Sequence, residues 1–185
     1  MRWIVLGILV LGFFWAVWTY NLLVSLRHRI QNAWKQIDVQ LKRRHDLIPN
    51  LVEAVKGYMR YEQETLEKVL EARSKAVSSR SLRETAEAEN ALTQSLGKIF
   101  ALMENYPELK ANENVLRLQE ELTTTENQIA FARQHYNDLV MRFNMRQEVF
   151  PSSVVANIFN FKPSEFFSVP AEEKGPVRVD LSLRG

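Results

Sequence analysis

IQNAWKQIDVQLKRRHDLIPNLVEAVKGYMRYEQETLEKVLEARSKA, residues 30–76, places its core-forming side chains at intervals that alternate between four and three. Ile30, Trp34, Ile37, Leu41, Arg44, Ile48, Leu51, Val55, Tyr58, Glu62, Thr65, Val69, Ala72 and Ala76 all keep that beat. A period of about 3.5 residues belongs to helices packed at shallow angles in a bundle or coiled coil. The phase survives Pro49, so the pattern predicts one continuous helix, kinked at the proline and ending near Ser78 and Ser79. A second reading also fits, in which Asp46 caps a new helix with Pro49 in its first turn. Arg44 and Glu62 are the charged residues on the stripe. Eighteen residues set them about 27 Å apart along a helix, too far to pair. Either their stems run along the edge of the core to water, or each makes a buried polar contact that fixes register.

Upstream of the stripe, Trp3 to Val24 contains no charged side chain. These twenty-two residues, at about 1.5 Å each, cover the roughly 30 Å hydrocarbon core of a bilayer. A cleaved signal peptide would need a basic start, a shorter apolar stretch and a small-residue cleavage site, whereas this run closes on Thr19, Tyr20, Asn21, Leu22, Leu23 and Val24. An uncleaved anchor is expected, with Trp3 at one interface and Trp18 and Tyr20 at the other. Arg27, Arg29, Lys35, Lys42, Arg43 and Arg44 follow closely, opposed only by Asp38, while Arg2 stands alone before the run. Positive flanks stay on the cytoplasmic side, so the chain is expected to hold a short N-terminus outside and the rest in the cytoplasm. The absence of cysteine is compatible with a reducing compartment.

Downstream, Ser81-Leu-Arg-Glu84 has capping-box spacing. The helix it opens carries Leu92, Leu96, Ile99 and Met103 on one face and stops at Asn105, Tyr106 and Pro107. Asn112 is placed to cap a long helix with Val115, Leu118, Leu122, Thr125, Ile129, Ala132, Tyr136, Leu139 and Phe143 in three-four alternation, ending at Phe150-Pro151. Val154 to Phe167 is rich in aromatic residues and is expected to supply the fourth side of the bundle, burying Phe159 and Phe166. Val177, Val179, Leu181 and Leu183 alternate with polar residues, a strand-like tail that either pairs with another chain or is a mobile terminus.

The chemistry this composition excludes is broad. With 24 basic and 22 acidic residues the net charge is only +2, without the excess a nucleic-acid binder carries. No cysteine nucleophile exists, His28, His45 and His135 form neither H-E-x-x-H nor Glu-x-x-His, and the six glycines are too scattered for a phosphate loop. His45-Asp46 would project about 100° apart on a helix, a poor catalytic dyad. No cofactor and no metal is expected.

Three blocks carry a family likeness. IDVQLKRRHDLIPNLVEAVKGY from Ile37, YPELKANENVLRLQEEL from Tyr106 and TENQIAFARQHYN from Thr125, with the Phe150-Pro151 step and FKPSEFF from Phe161, closely resemble the hallmark segments of the LemA family. The resemblance implies a single-pass bacterial inner-membrane protein whose cytoplasmic part is an antiparallel up-and-down four-helix bundle, with no established enzymatic activity and no catalytic residues to carry over.

The reading is an all-α chain of three parts: an anchor over 1–26, a cytoplasmic bundle over 27–168 and an extended tail over 169–185. Its expected role is a non-enzymatic scaffold presenting the bundle to an unknown protein partner or to copies of itself, with membrane lipid as the N-terminal partner. The alternative is lipid binding or membrane shaping through the basic juxtamembrane helix. Candidate contact residues are those that packing leaves unexplained: Lys42, Arg43, Arg44, His45 and Asp46 beside Pro49; Tyr106, Pro107, Glu108, Lys110, Asn112 and Glu113 at the helix connection; and Val177, Val179 and Leu181 in the tail. Capping and turn chemistry is the competing explanation for the first two groups.

Overall fold

A computed structural model describes residues 1–168, which fold as six helices. In chain order they are α1 (Arg2–Lys56), α2 (Gln63–Ser78), α3 (Leu82–Met103), the single turn α4 (Pro107–Lys110), α5 (Glu113–Glu148) and α6 (Ser152–Ile158). The tail residues Val177, Val179 and Leu181 lie outside the described residues.

Helix α1 runs through Pro49 without interruption for 55 residues, about 82 Å at helical rise. It is the one helix among the described residues long and apolar enough to cross a membrane. The sequence reading carries this helix on unbroken to Ser78 and Ser79, and its continuity past Lys56 is corrected. The chain turns at residues 57–62, with Tyr58 and Met59 both donating to the Val55 carbonyl. Met59 tucks fully inside at the turn, while Tyr61 points into solvent. The stripe hid this turn because its length kept Val69, Ala72 and Ala76 in phase. Lys56 in the last turn followed by Gly57 was the local stop signal.

Other boundaries agree with the sequence. Ser81 accepts from the Glu84 amide while the Glu84 carboxylate takes the Ser81 amide, a complete capping box. The Arg80 amide also donates to the Glu84 carboxylate, and it, then the Ser81 amide, holds that carboxyl below its ordinary range. Asn112 caps α5 by accepting from the amides of Asn114 and Val115.

Two apolar clusters fill the interior. One joins Ile48, Leu51 and Val55 of α1 to Leu66 and Val69 of α2, Leu92, Leu96 and Ile99 of α3, and Val115 and Leu122 of α5. The other joins Leu23, Ile30, Ile37 and Leu41 of α1 to Ile129, Tyr136, Leu139 and Phe143 of α5, with Ala86, Ala156 and Phe167. On α1 the gap between them falls at Arg44 and His45, on α3 at Glu89, and on α5 at Thr125, all of them buried. Each long helix thus gives one polar layer at the same height.

Val154 to Phe167 does pack on the molecule, but not as a helix of bundle length. Only Ser152–Ile158 is helical, and Asn160 at φ 53 turns the chain out of it, a conformation asparagine tolerates. The chain then climbs back along α5 as an extended strap. Asn144 takes the Ser164 amide and donates to its carbonyl, and Asn137 does the same for Phe167. Two amide side chains, one heptad apart, satisfy strap backbone that has no strand beside it. Phe167 is buried against Trp34, whereas Phe159 and Phe166 are half-exposed, contrary to their expected burial.

Candidate functional site

The polar layer is a charge network across three helices. Arg44 is 2% exposed and Glu89 not at all. Arg44 Nη1 lies 3.2 Å from Glu89 Oε2 and 2.9 Å from Glu126 Oε2, and Nη2 donates to Thr93 Oγ1 at 2.8 Å. The second Glu89 oxygen receives His45 Nε2 at 2.6 Å, which places the imidazole proton on that nitrogen. Removing each charge from water costs several kcal/mol, and a pair offsets this only when its remaining donors and acceptors are also met. Here Glu89 has partners on both oxygens. Two helical turns along α5, Arg133 lies 4.6 Å over the Phe167 ring. Burial pushes its guanidinium below the ordinary arginine value, an effect that Glu126 and Glu89 oppose. Its Nε and Nη2 have no hydrogen-bond partner, leaving the ring face as their polar contact.

Pro49 completes the arrangement. A proline has no N–H, so the carbonyl four residues earlier loses its helical partner. That carbonyl belongs to His45, and Arg73 Nε of α2 donates to it at 2.6 Å. The helix break at 57–62 therefore has a purpose that the stripe did not reveal: it returns α2 so that Arg73 reaches the acceptor freed by Pro49.

Beside this layer opens a cleft of about 740 Å³, walled by Trp34, Asp38, Lys42, His45 and Asp46 of α1, Arg73 of α2, Arg80, and Tyr136 of α5. Burial raises the Tyr136 phenol above its ordinary value, and Glu165 adds to the effect. Hydroxyls in the wall are already engaged at the α2–α3 junction, Ser79 with Thr85 and the Ala76 carbonyl, Thr85 with the Ser81 carbonyl. No group of three or more His, Cys, Asp or Glu side chains among the described residues is placed to hold a metal ion.

The structure divides the candidates from the sequence. Lys42 and Asp46 stand exposed in the cleft wall, His45 lies behind them, and Arg44 is interior. Arg43 faces elsewhere, 4.0 Å from Glu121 in an exposed pair of little energetic weight. Tyr106 precedes α4 and is half-buried, Asn112 is a cap, and Glu108, Lys110 and Glu113 are exposed. The Asn112 side chain bonds within its own helix start, to the amides of Asn114 and Val115, and Arg43 of the first group pairs with Glu121 instead. Glu89, the centre of the network, was missed. Its signal was present, because it precedes Leu92 by three and so sits on the α3 stripe, as Arg44 sits on that of α1.

The geometry frames a comparison with known proteins. The sequence model of the LemA family matches residues 33–181, most of the chain. The chain belongs to the LemA family. Among LemA-like relatives, Protein LemA of Metamycoplasma hominis is 29% identical over 175 residues, covering 89% of this chain and 80% of that protein. Magnetosome proteins MamQ 1 and MamQ 2 of Paramagnetospirillum magneticum are each 21% identical over 174 residues, covering 80% of this chain. The alignment spans 64% of the length of each MamQ protein. None of these names carries an enzymatic activity.

Proposed function

We propose that this LemA-family chain is a membrane-anchored, non-enzymatic scaffold that holds a helical bundle on the cytoplasmic face of a bacterial inner membrane and offers it to protein partners or to other copies of itself. The observation that carries this reading is the unbroken course of α1, whose side chains pass from almost wholly exposed and apolar over residues 2–18 to core-forming from Leu23 onward. One helix is both anchor and bundle member, so the bundle is held at a fixed height and rotation relative to the bilayer. The charge network supports a structural role for its residues, because Arg44 and His45 both engage Glu89 in the interior, and of the three only His45 reaches the cleft wall. The surface offered is the cleft wall, where Lys42, Asp46 and Asp38 present both signs of charge.

A photoreactive amino acid placed at Lys42 or Asp46 in the full-length protein, irradiated in cells, is expected to give discrete adducts that the same group at Tyr61 does not. Identical adduct patterns at all three positions, or none, would overturn the cleft wall as the presenting surface.

A further inference from the structure

Val149 to Phe161, VFPSSVVANIFNF, is thirteen residues without a charge at the corner between α5 and the strap. A short helix packed on a soluble bundle should turn a polar face outward. Helix α6 turns out a mixed one: Val155 and Ala156 face the core, and Val154 and Ile158 face out beside exposed Asn157. Phe150 is 79% exposed, Ile158 72% and Phe159 56%, with Val149 and Val154 about half exposed beside them. Clustered exposure of this kind calls for a cover.

The height of the corner says what the cover is. Phe159 packs on Tyr20 with ring centroids 4.6 Å apart, and Phe161 meets the same ring at 5.8 Å. Tyr20 belongs to the uncharged run, and Thr19 and Leu23 on either side of it are buried. The part of α1 left open to lipid is therefore Trp3 to Trp18, sixteen residues, exposed but for half-buried Ala16. That is about 24 Å at helical rise, short of the roughly 30 Å hydrocarbon core. The missing depth lies at Thr19 to Val24, where the α6 corner sits. Cations then appear at the level of lipid headgroups, with Lys162 just past the uncharged stretch and Arg27 5.6 Å over the Phe161 ring.

We propose that the α5–α6 corner is a second membrane contact, an interfacial wedge whose Phe150, Val154, Ile158 and Phe159 side chains enter the acyl boundary of the leaflet on the bundle side. The bundle then sits in the surface of the bilayer, touching lipid at α1 and again at α6. This rests on the anchor reading above, and the test separates the two. The chain has no cysteine, so single substitutions give clean labelling sites. Full-length Phe150→Cys, Ile158→Cys, Leu9→Cys and Tyr61→Cys proteins, each carrying an environment-sensitive fluorophore, are reconstituted at one copy per nanodisc in equal parts phosphatidylcholine and phosphatidylglycerol. The lipids are brominated either near the headgroup end or near the terminus of the acyl chain.

Labels at 150 and 158 are expected to lose about half their emission to the shallow bromines and little to the deep ones. The Leu9 label should respond to deep bromines, and the Tyr61 label to neither. A quenched Leu9 label with unquenched labels at 150 and 158 overturns the wedge and leaves the anchor standing, whether water, another segment or a second copy covers the corner. An unquenched Leu9 label overturns both.

Discussion

At the scale of the residue, Glu89 decides how the interior is wired. Glu89→Ala strips buried His45 of its carboxylate and leaves Arg44 with Glu126 as its remaining one, and about 1–3 kcal/mol of stability is expected to be lost, read by urea denaturation of the detergent-solubilised protein. Adding Arg44→Met to a Glu89→Leu background removes both buried charges at similar volume, leaves His45 and the partly exposed Glu126 without those partners, and is expected to recover part of that loss. A double variant as unstable as Glu89→Ala would show that shape rather than charge matters at this layer. Arg44 was legible as an oddity on a stripe, but sequence favoured snorkelling at the core edge over the burial that the structure shows. Its partner sits 45 residues away on a helix whose relative rotation no single stripe specifies. Spacing gives a residue its face; which face meets which is settled by packing.

At the scale of the element, Pro49 and Arg73 form a pair that contact lists of either residue alone would miss. Pro49→Ala supplies an amide to the His45 carbonyl and should leave stability unchanged or raise it. Arg73→Ala should cost about 1–3 kcal/mol by stranding that carbonyl, and about 1 kcal/mol less when Pro49→Ala is already present. Additive effects in this double-mutant cycle would break the proposed link. The strap gives a second contrast: Phe167→Ala is expected to cost about 3–5 kcal/mol, and half-exposed Phe166→Ala under about 1 kcal/mol. Equal costs would mean the strap is not held by Phe167. Helix starts were readable wherever a side chain made the cap, as at Ser81 and Asn112, because that chemistry is local. The turn at 57–62 was not, since a connection that preserves phase looks like helix to any periodicity argument. The strap escaped for a related reason: its backbone is satisfied by Asn137 and Asn144 on another element, and no pattern within residues 160–168 announces it.

At the scale of the whole molecule, the charge next to the apolar run is expected to set which way the chain inserts. Changing Arg27→Glu, Arg29→Glu and Lys35→Glu together, with lysines added beside Arg2, should invert part of the population. A C-terminal reporter that is already extracytoplasmic in the unaltered protein would refute the cytoplasmic placement. All-helical architecture and the apolar N-terminal helix were both legible in sequence, because each depends on one repeating interval or one long run. How α2, α3 and the strap dock on the α1–α5 pair was not, because that depends on contacts between stripes. The continuity of α1 also has a mechanical side. Lipid bilayers of different thickness impose different tilts on a spanning helix. From Val24 to Lys56 the same helix extends a further 32 residues, about 48 Å, so a tilt of about 10° carries its far end sideways by about 8 Å. With α1 spanning a bilayer as proposed above, this helix would act as a lever whose short arm takes membrane thickness as its input.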